Sequence, residues 1–205
     1  MRSVIIFLLI LLLAGCSVFD MTTRIAGPDT VDSPAIIPTL PDVTALPTEN
    51  RYTSRLSDYG PAPEIANDVW LNVDAPLRLA DLRGNVVIVD FWTYGCINCQ
   101  HVIPSLRAWH TQYGAQGLVI IGVHYPEFDY EADLQNLRAA IARLDVPYAV
   151  AQDNDAITWT AYGNRYWPTL YLIDKQGHLR YRHIGEGKYA EIEANIQDLL
   201  AETYP

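Results

Sequence analysis

The chain is short of cysteine, short of lysine and short of long apolar runs, and each shortage excludes a class of protein. Three cysteines, two of them close neighbours, are too few for the disulfide framework that stabilises small secreted folds. Only two lysines, Lys175 and Lys188, and a formal net charge of −10 argue against nucleic acid or an anionic lipid surface as a partner. The one long apolar run, Val4 to Leu13, is shorter than the roughly 20 residues that span a bilayer. No segment repeats. Half of the residues are hydrophobic, enough for one domain with a proper core.

The apolar run follows Arg2 and ends in Leu13-Ala14-Gly15-Cys16, an arrangement that resembles a bacterial lipoprotein signal. The resemblance implies removal of residues 1–15 and lipidation of Cys16, whose acyl chains would anchor the protein to a membrane. Residues 16–63 are rich in Pro, Thr and Asp, and Pro28, Pro34, Pro38, Pro41 and Pro47 interrupt any helix or strand. They read as a disordered, semi-extended spacer, with the folded domain over 64–205.

Within that domain strand and helix signals alternate. Val69 to Val73 and Pro76 to Leu79 predict short strands, and Val86 to Trp92 and Leu118 to Val123 predict buried ones. Helices are expected over Cys96 to Tyr113, Tyr130 to Leu144, Asp153 to Tyr162 and Tyr189 to Thr203. A short strand is expected at Pro147 to Ala151, and a hairpin joins Thr169 to Ile173 with Leu179 to Ile184 about Lys175-Gln176-Gly177. A βαβ unit followed by a hairpin and a terminal helix is an α/β fold with a central mixed β-sheet flanked by helices.

Cys96-Ile97-Asn98-Cys99 stands at the start of the first helix. There the free N–H groups and the helix dipole favour a thiolate over a thiol. So short a loop gains little stability from closure, so the pair reads as a reversible dithiol. Cys96, the outer sulfur, is assigned attack on a substrate disulfide, and Cys99, one turn inward, resolution of the mixed disulfide. Asp90 lies on the buried strand among Val87, Val89 and Phe91, where burial should raise its pKa. Trp92, Tyr94 and Trp167 are candidates for lining the surface around the pair, and Glu127, His124 and Glu186 for supporting acids or bases.

Three other uses of the thiols compete. Haem attachment needs CxxCH, but Gln100 follows Cys99 and His101 comes one place late. A copper or zinc chaperone, the main alternative, would recruit His101 or His110. Helix geometry puts His110 about three turns from Cys99. A peroxidase would use Thr93 of Thr93-Tyr94-Gly95-Cys96, although Val89 stands where that motif has a proline.

Val89-Asp90-Phe91-Trp92, the CxxC, Pro104 and Trp167-Pro168-Thr169 together resemble the thioredoxin superfamily. Phe91 to Cys99, Gly122 to Phe128, Asp153-Asn154, Tyr166-Trp167-Pro168 and Gly185-Glu186-Gly187 narrow the likeness to the TlpA/ResA-like group, above all to the thioredoxin-like domain of DipZ-type proteins. The resemblance implies a thioredoxin-like fold and an extracytoplasmic thiol–disulfide oxidoreductase without a cofactor or catalytic metal. It makes Asp90 the buried carboxylate that exchanges a proton with Cys99. Pro168 becomes a cis-proline, and Trp92, Trp167, Pro168 and Thr169 a substrate-binding set. The analogy favours reduction of protein disulfides or apocytochrome cysteines. The membrane electron-transfer domain of DipZ-type proteins has no counterpart in this sequence, so a separate membrane protein is the expected electron donor.

Overall fold

The computed structural model describes residues 53–204. The lipoprotein signal, Cys16 and the spacer as far as residue 52 lie outside the described residues. A six-stranded mixed sheet has the order β1-β4-β3-β2-β5-β6, with β1 Val69–Leu71, β2 Val86–Trp92, β3 Leu118–His124, β4 Ala149–Gln152, β5 Thr169–Ile173 and β6 Leu179–Ile184. β2, β3 and β4 run parallel, while β1, β5 and β6 pair antiparallel to their neighbours. All seven residues of β2 are buried, as its apolar character, interrupted by Asp90 alone, requires of a strand covered on both faces.

The period of two along β2 sorts its side chains between two cores. Val86, Ile88 and Trp92 pack under the helices α1 Ile97–Tyr113, α2 Leu134–Arg143 and α4 Tyr189–Ala201, with Val102, Leu106, Leu137, Ile192 and Ile196. Val87, Val89 and Phe91 face the other way, toward Ile65, Leu79 and Tyr162, beside the short helix α3 Ile157–Ala161. Asp90 shares the face of Ile88 and Trp92, and so points into the layer that carries α1 and the cysteines. Helix α1 ends at Tyr113; Gly114 remains right-handed and opens one 3-10 turn, and Gly117, at φ 98°, makes the left-handed stop.

Three local expectations differ, the helix expected from Asp153 shortening to Ile157–Ala161. Pro76 to Leu79 forms no strand: the chain enters a 3-10 turn at Leu79–Leu82, fastened by the Glu64 carboxylate, which accepts the Leu79 and Ala80 N–H groups. The predicted helix over Tyr130 to Leu144 is divided at Asp133, whose carboxylate caps α2 by accepting from Gln135 and Asn136.

Residues 59–62, within the stretch read as spacer, are bonded along the start of β6 and the turn before it. Tyr59 N–H donates to Leu179 O, Leu179 N–H to Gly60 O, and Ala62 N–H to Gly177 O. Arg180 holds the preceding turn. Its guanidinium donates to Leu56 O and Ser57 O, and also to the buried carboxylates of Asp174 at 2.8 Å and Glu202 at 3.1 Å. Removing the cation would leave two buried carboxylates without it. Arg180→Ala is therefore expected to lower unfolding free energy by about 3–5 kcal/mol in urea titrations and to open the Arg55 peptide to trypsin. A variant with wild-type stability would show the cluster to be dispensable.

Candidate active site

β2 delivers the chain to the site and α1 carries it away. After Trp92 the backbone turns through Thr93-Tyr94-Gly95, and Cys96 becomes the N-cap of α1. Its Sγ accepts the Cys99 N–H at 3.3 Å, where a serine or aspartate oxygen would sit in an ordinary cap. The site thus stands at the N-terminus of a 17-residue helix, whose unpaired N–H groups are partners for an anion. Both cysteines are free. Cys96 is half-buried and Cys99 buried. Burial pushes the Cys99 thiol well up, and its bond with Cys96 and the negative charge of Asp90 push the same way, against the Thr93 backbone.

Asp90 is 2% exposed, and its Oδ1 has no hydrogen-bond partner among the described residues. Burial raises its carboxyl to about 7. It lines a cavity of about 10 Å³ together with Pro168, Leu170, His183 and Gly185, the room of a single water. The Trp167–Pro168 peptide is cis, as the family resemblance implies. Pro168 O accepts the Gly185 N–H at 2.8 Å, and Thr169 follows as the first residue of β5, buried and paired with Phe91. Asp90, Cys96, Cys99 and Pro168 are therefore brought to one end of the sheet by β2, α1 and β5.

The expected aromatic lining is corrected at two positions, since Tyr94, 9% exposed, packs in the same core as Trp92. Trp92 is 1% exposed, because the period of two turns it into the core under α1 with its indole against Gly122, so it lines no surface. Trp167 is half-buried and stacks on Tyr125 at 5.6 Å, next to Trp159 at 4.6 Å. Exposed apolar groups at this end of the sheet include Ile97, between the cysteines, Tyr166, before the cis peptide, and the stacked pair Phe128 and Tyr130. Tyr94 ties that pair to the site by donating its hydroxyl to Tyr130 O.

Of the supporting acids and bases, His124 is fully buried, stacks on Tyr94, and lies 3.4 Å from the Thr93 hydroxyl. Burial pushes it down to about 4, so it is neutral at neutral pH. Thr93 is buried too, with its hydroxyl toward His124, an orientation that suits a packed turn better than peroxide binding. Glu186 pairs with His101 at 2.8 Å on the surface beside α1. Among the described residues no group of three or more His, Cys, Asp or Glu side chains is arranged to hold a metal ion.

One residue escapes the sequence reading. Glu131 is completely buried and accepts the N–H groups of Gly95, Glu127 and Phe128. In the sequence it falls in the first turn of the helix expected over Tyr130 to Leu144, where an acidic side chain reads as solvated. The available signal was its place three residues after Phe128, the N-cap of a 3-10 turn, where glutamate characteristically reaches back to free N–H groups.

The strand order, the N-capping dithiol and the cis-proline define a thioredoxin-like fold, and the chain is a thioredoxin-like protein with a dithiol at the family's helix start. A solved thioredoxin-like superfamily protein superposes with a TM-score of 0.67 at 29% identity, over 71% of this chain and 99% of that one. The chain belongs to the AhpC/TSA family, whose pattern matches residues 41–182. Protein DipZ of Mycobacterium tuberculosis is 43% identical over 155 residues, which are 74% of this chain and 22% of DipZ, so the chain spans about a fifth of that relative. Thiol-disulfide oxidoreductase ResA of Bacillus cereus is 28% identical over 123 residues, 60% of this chain and 68% of ResA.

Proposed function

We propose that this protein is a membrane-anchored, extracytoplasmic reductase of protein disulfides or apocytochrome cysteines, working through the Cys96/Cys99 couple. The observation that carries the reading is the pair's asymmetry: an accessible sulfur capping α1 and a buried one a turn behind it. Cys96 attacks as thiolate, forming a bond to one substrate sulfur and expelling the other, which takes up a proton. The Cys99 thiol gives its proton to the Asp90 carboxylate, and its sulfur attacks Cys96 Sγ, expelling the second substrate thiolate. Two electrons pass to the substrate and leave a Cys96–Cys99 disulfide. A separate membrane dithiol donor restores the reduced pair. The cavity beside Asp90 has room for one water as a proton partner of the carboxyl.

Anchoring through Cys16 rests on the signal-like N-terminus, and placement outside the cytoplasm follows from it. The deciding experiment equilibrates the full chain with reduced and oxidised glutathione, and in parallel follows insulin reduction and the metal content of the reduced protein. A couple that is oxidised in balanced glutathione buffer and reduces insulin supports a reductase. One that stays reduced reverses the direction of electron flow, and stoichiometric copper without insulin reduction replaces the proposal with a metal carrier. Cys16→Ser should abolish palmitate labelling and move the protein from the membrane to the soluble fraction; unchanged labelling would remove the anchor.

A further inference from the structure

We infer that Glu131 is a positioning residue for Cys96, acting through the backbone of Gly95. The inference rests on the dithiol reading above. The Glu131 carboxylate touches no sulfur; it is fully buried between two loops and serves both. Oε1 accepts the Gly95 N–H at 2.8 Å, and Oε2 accepts the Glu127 N–H at 2.7 Å and the Phe128 N–H at 3.1 Å. These are charge-assisted bonds from three backbone donors to one anion. One is made by the residue directly before the attacking cysteine.

Gly95 is fitted to this partner. Its φ is not positive, so its backbone does not demand glycine. Space does: a Cβ on Gly95 would overlap Glu131 Oε1. The turn is held on its other side by Gln100, whose Nε2 donates to Tyr94 O at 2.8 Å, and by Tyr94, bonded to Tyr130 O. Cys96 leaves this turn as the N-cap of α1, so a rotation about Gly95 would swing Sγ away from the Cys99 N–H. The same carboxylate fixes the Glu127–Phe128 backbone, and thereby the exposed Phe128/Tyr130 pair, in a fixed relation to the sulfur.

The test measures the second-order rate constant of the reduced full chain with the small disulfide dithionitrobenzoate, at a temperature where circular dichroism shows each variant folded. Glu131→Ala should react about tenfold to a hundredfold more slowly than wild type, the scale set by misplacing a reacting group by about an ångström. Glu131→Gln should fall between them, because one amide oxygen can still accept from Gly95 while its NH₂ confronts donors. Gly95→Ala should lose as much as Glu131→Ala, and the double variant should be no slower than Glu131→Ala alone, since the added methyl then has room. Wild-type rates in folded variants overturn the inference, as do additive losses in the double variant. If Glu131→Ala does not fold, Glu131→Gln and Gly95→Ala decide alone: both slowed supports the role, and either one at the wild-type rate overturns it. An unreactive wild type would instead sink the dithiol reading itself.

Discussion

Cys96→Ser should abolish insulin reduction, a loss of about a thousandfold or more, as expected when a nucleophile is removed. Cys99→Ser should also stop turnover, at a later stage. Cys96 still attacks, but no second sulfur waits to release the substrate, and one equivalent accumulates as a mixed disulfide visible by mass. The asymmetry follows from burial. Cys99 is 1% exposed, and its thiol is held far above its ordinary range, so it is a poor first attacker and becomes competent only when a neighbouring base takes its proton. Equal trapping by both variants would show that either sulfur can attack first, and would remove the assigned order.

Asp90→Asn should make the protein slower and more stable at once. The isosteric amide cannot accept the Cys99 proton, so turnover at pH 7 is expected to fall roughly a hundredfold, the usual contribution of a positioned base. The deficit should shrink above about pH 9, where hydroxide takes that proton. Stability moves the opposite way. Below the ordinary carboxyl pKa of 3.8 the group is protonated in both states; between there and about 7 the unfolded chain has lost the proton and the folded one has kept it. The native state then binds more protons, so stability falls as pH rises through this window. At about 1.4 kcal/mol per pKa unit, the cost above pH 7 is on the order of 4 kcal/mol, which Asp90→Asn would recover. His124, held down to about 4 by burial, works against this trend, because stability it lends near neutrality is lost as pH falls from about 6.5. A variant with unchanged urea midpoints at pH 7.5 and an unchanged pH–rate profile would exclude Asp90 as the proton acceptor.

Where local chemistry decides, the sequence was readable. The largely apolar strand β2, the CxxC at a helix start and the β5–β6 hairpin all declare themselves within ten residues, and all fall where expected. The fold class follows from their order. Site geometry is harder, because it depends on partners far along the chain. Trp92 and Trp167 look alike as aromatics near strand ends, yet strand parity buries one and leaves the other half-buried. Glu131 resembles its acidic neighbours until three N–H groups, one of them 36 residues away, converge on it. Residues 54–62 carry no periodic signal, since what holds them is single bonds to β6 and to Arg180, more than a hundred residues later.

The bonding of residues 59–62 along β6 also bears on how copies of the domain tolerate one another. A sheet that ends in bare N–H and C=O groups invites the next molecule to extend it, the first step of aggregation. Here one border strand is three residues long, and the other is occupied at its start by the chain's own backbone and carries Arg180, Arg182 and His183 farther on. Neighbouring copies at high concentration can therefore lie side by side without zippering together.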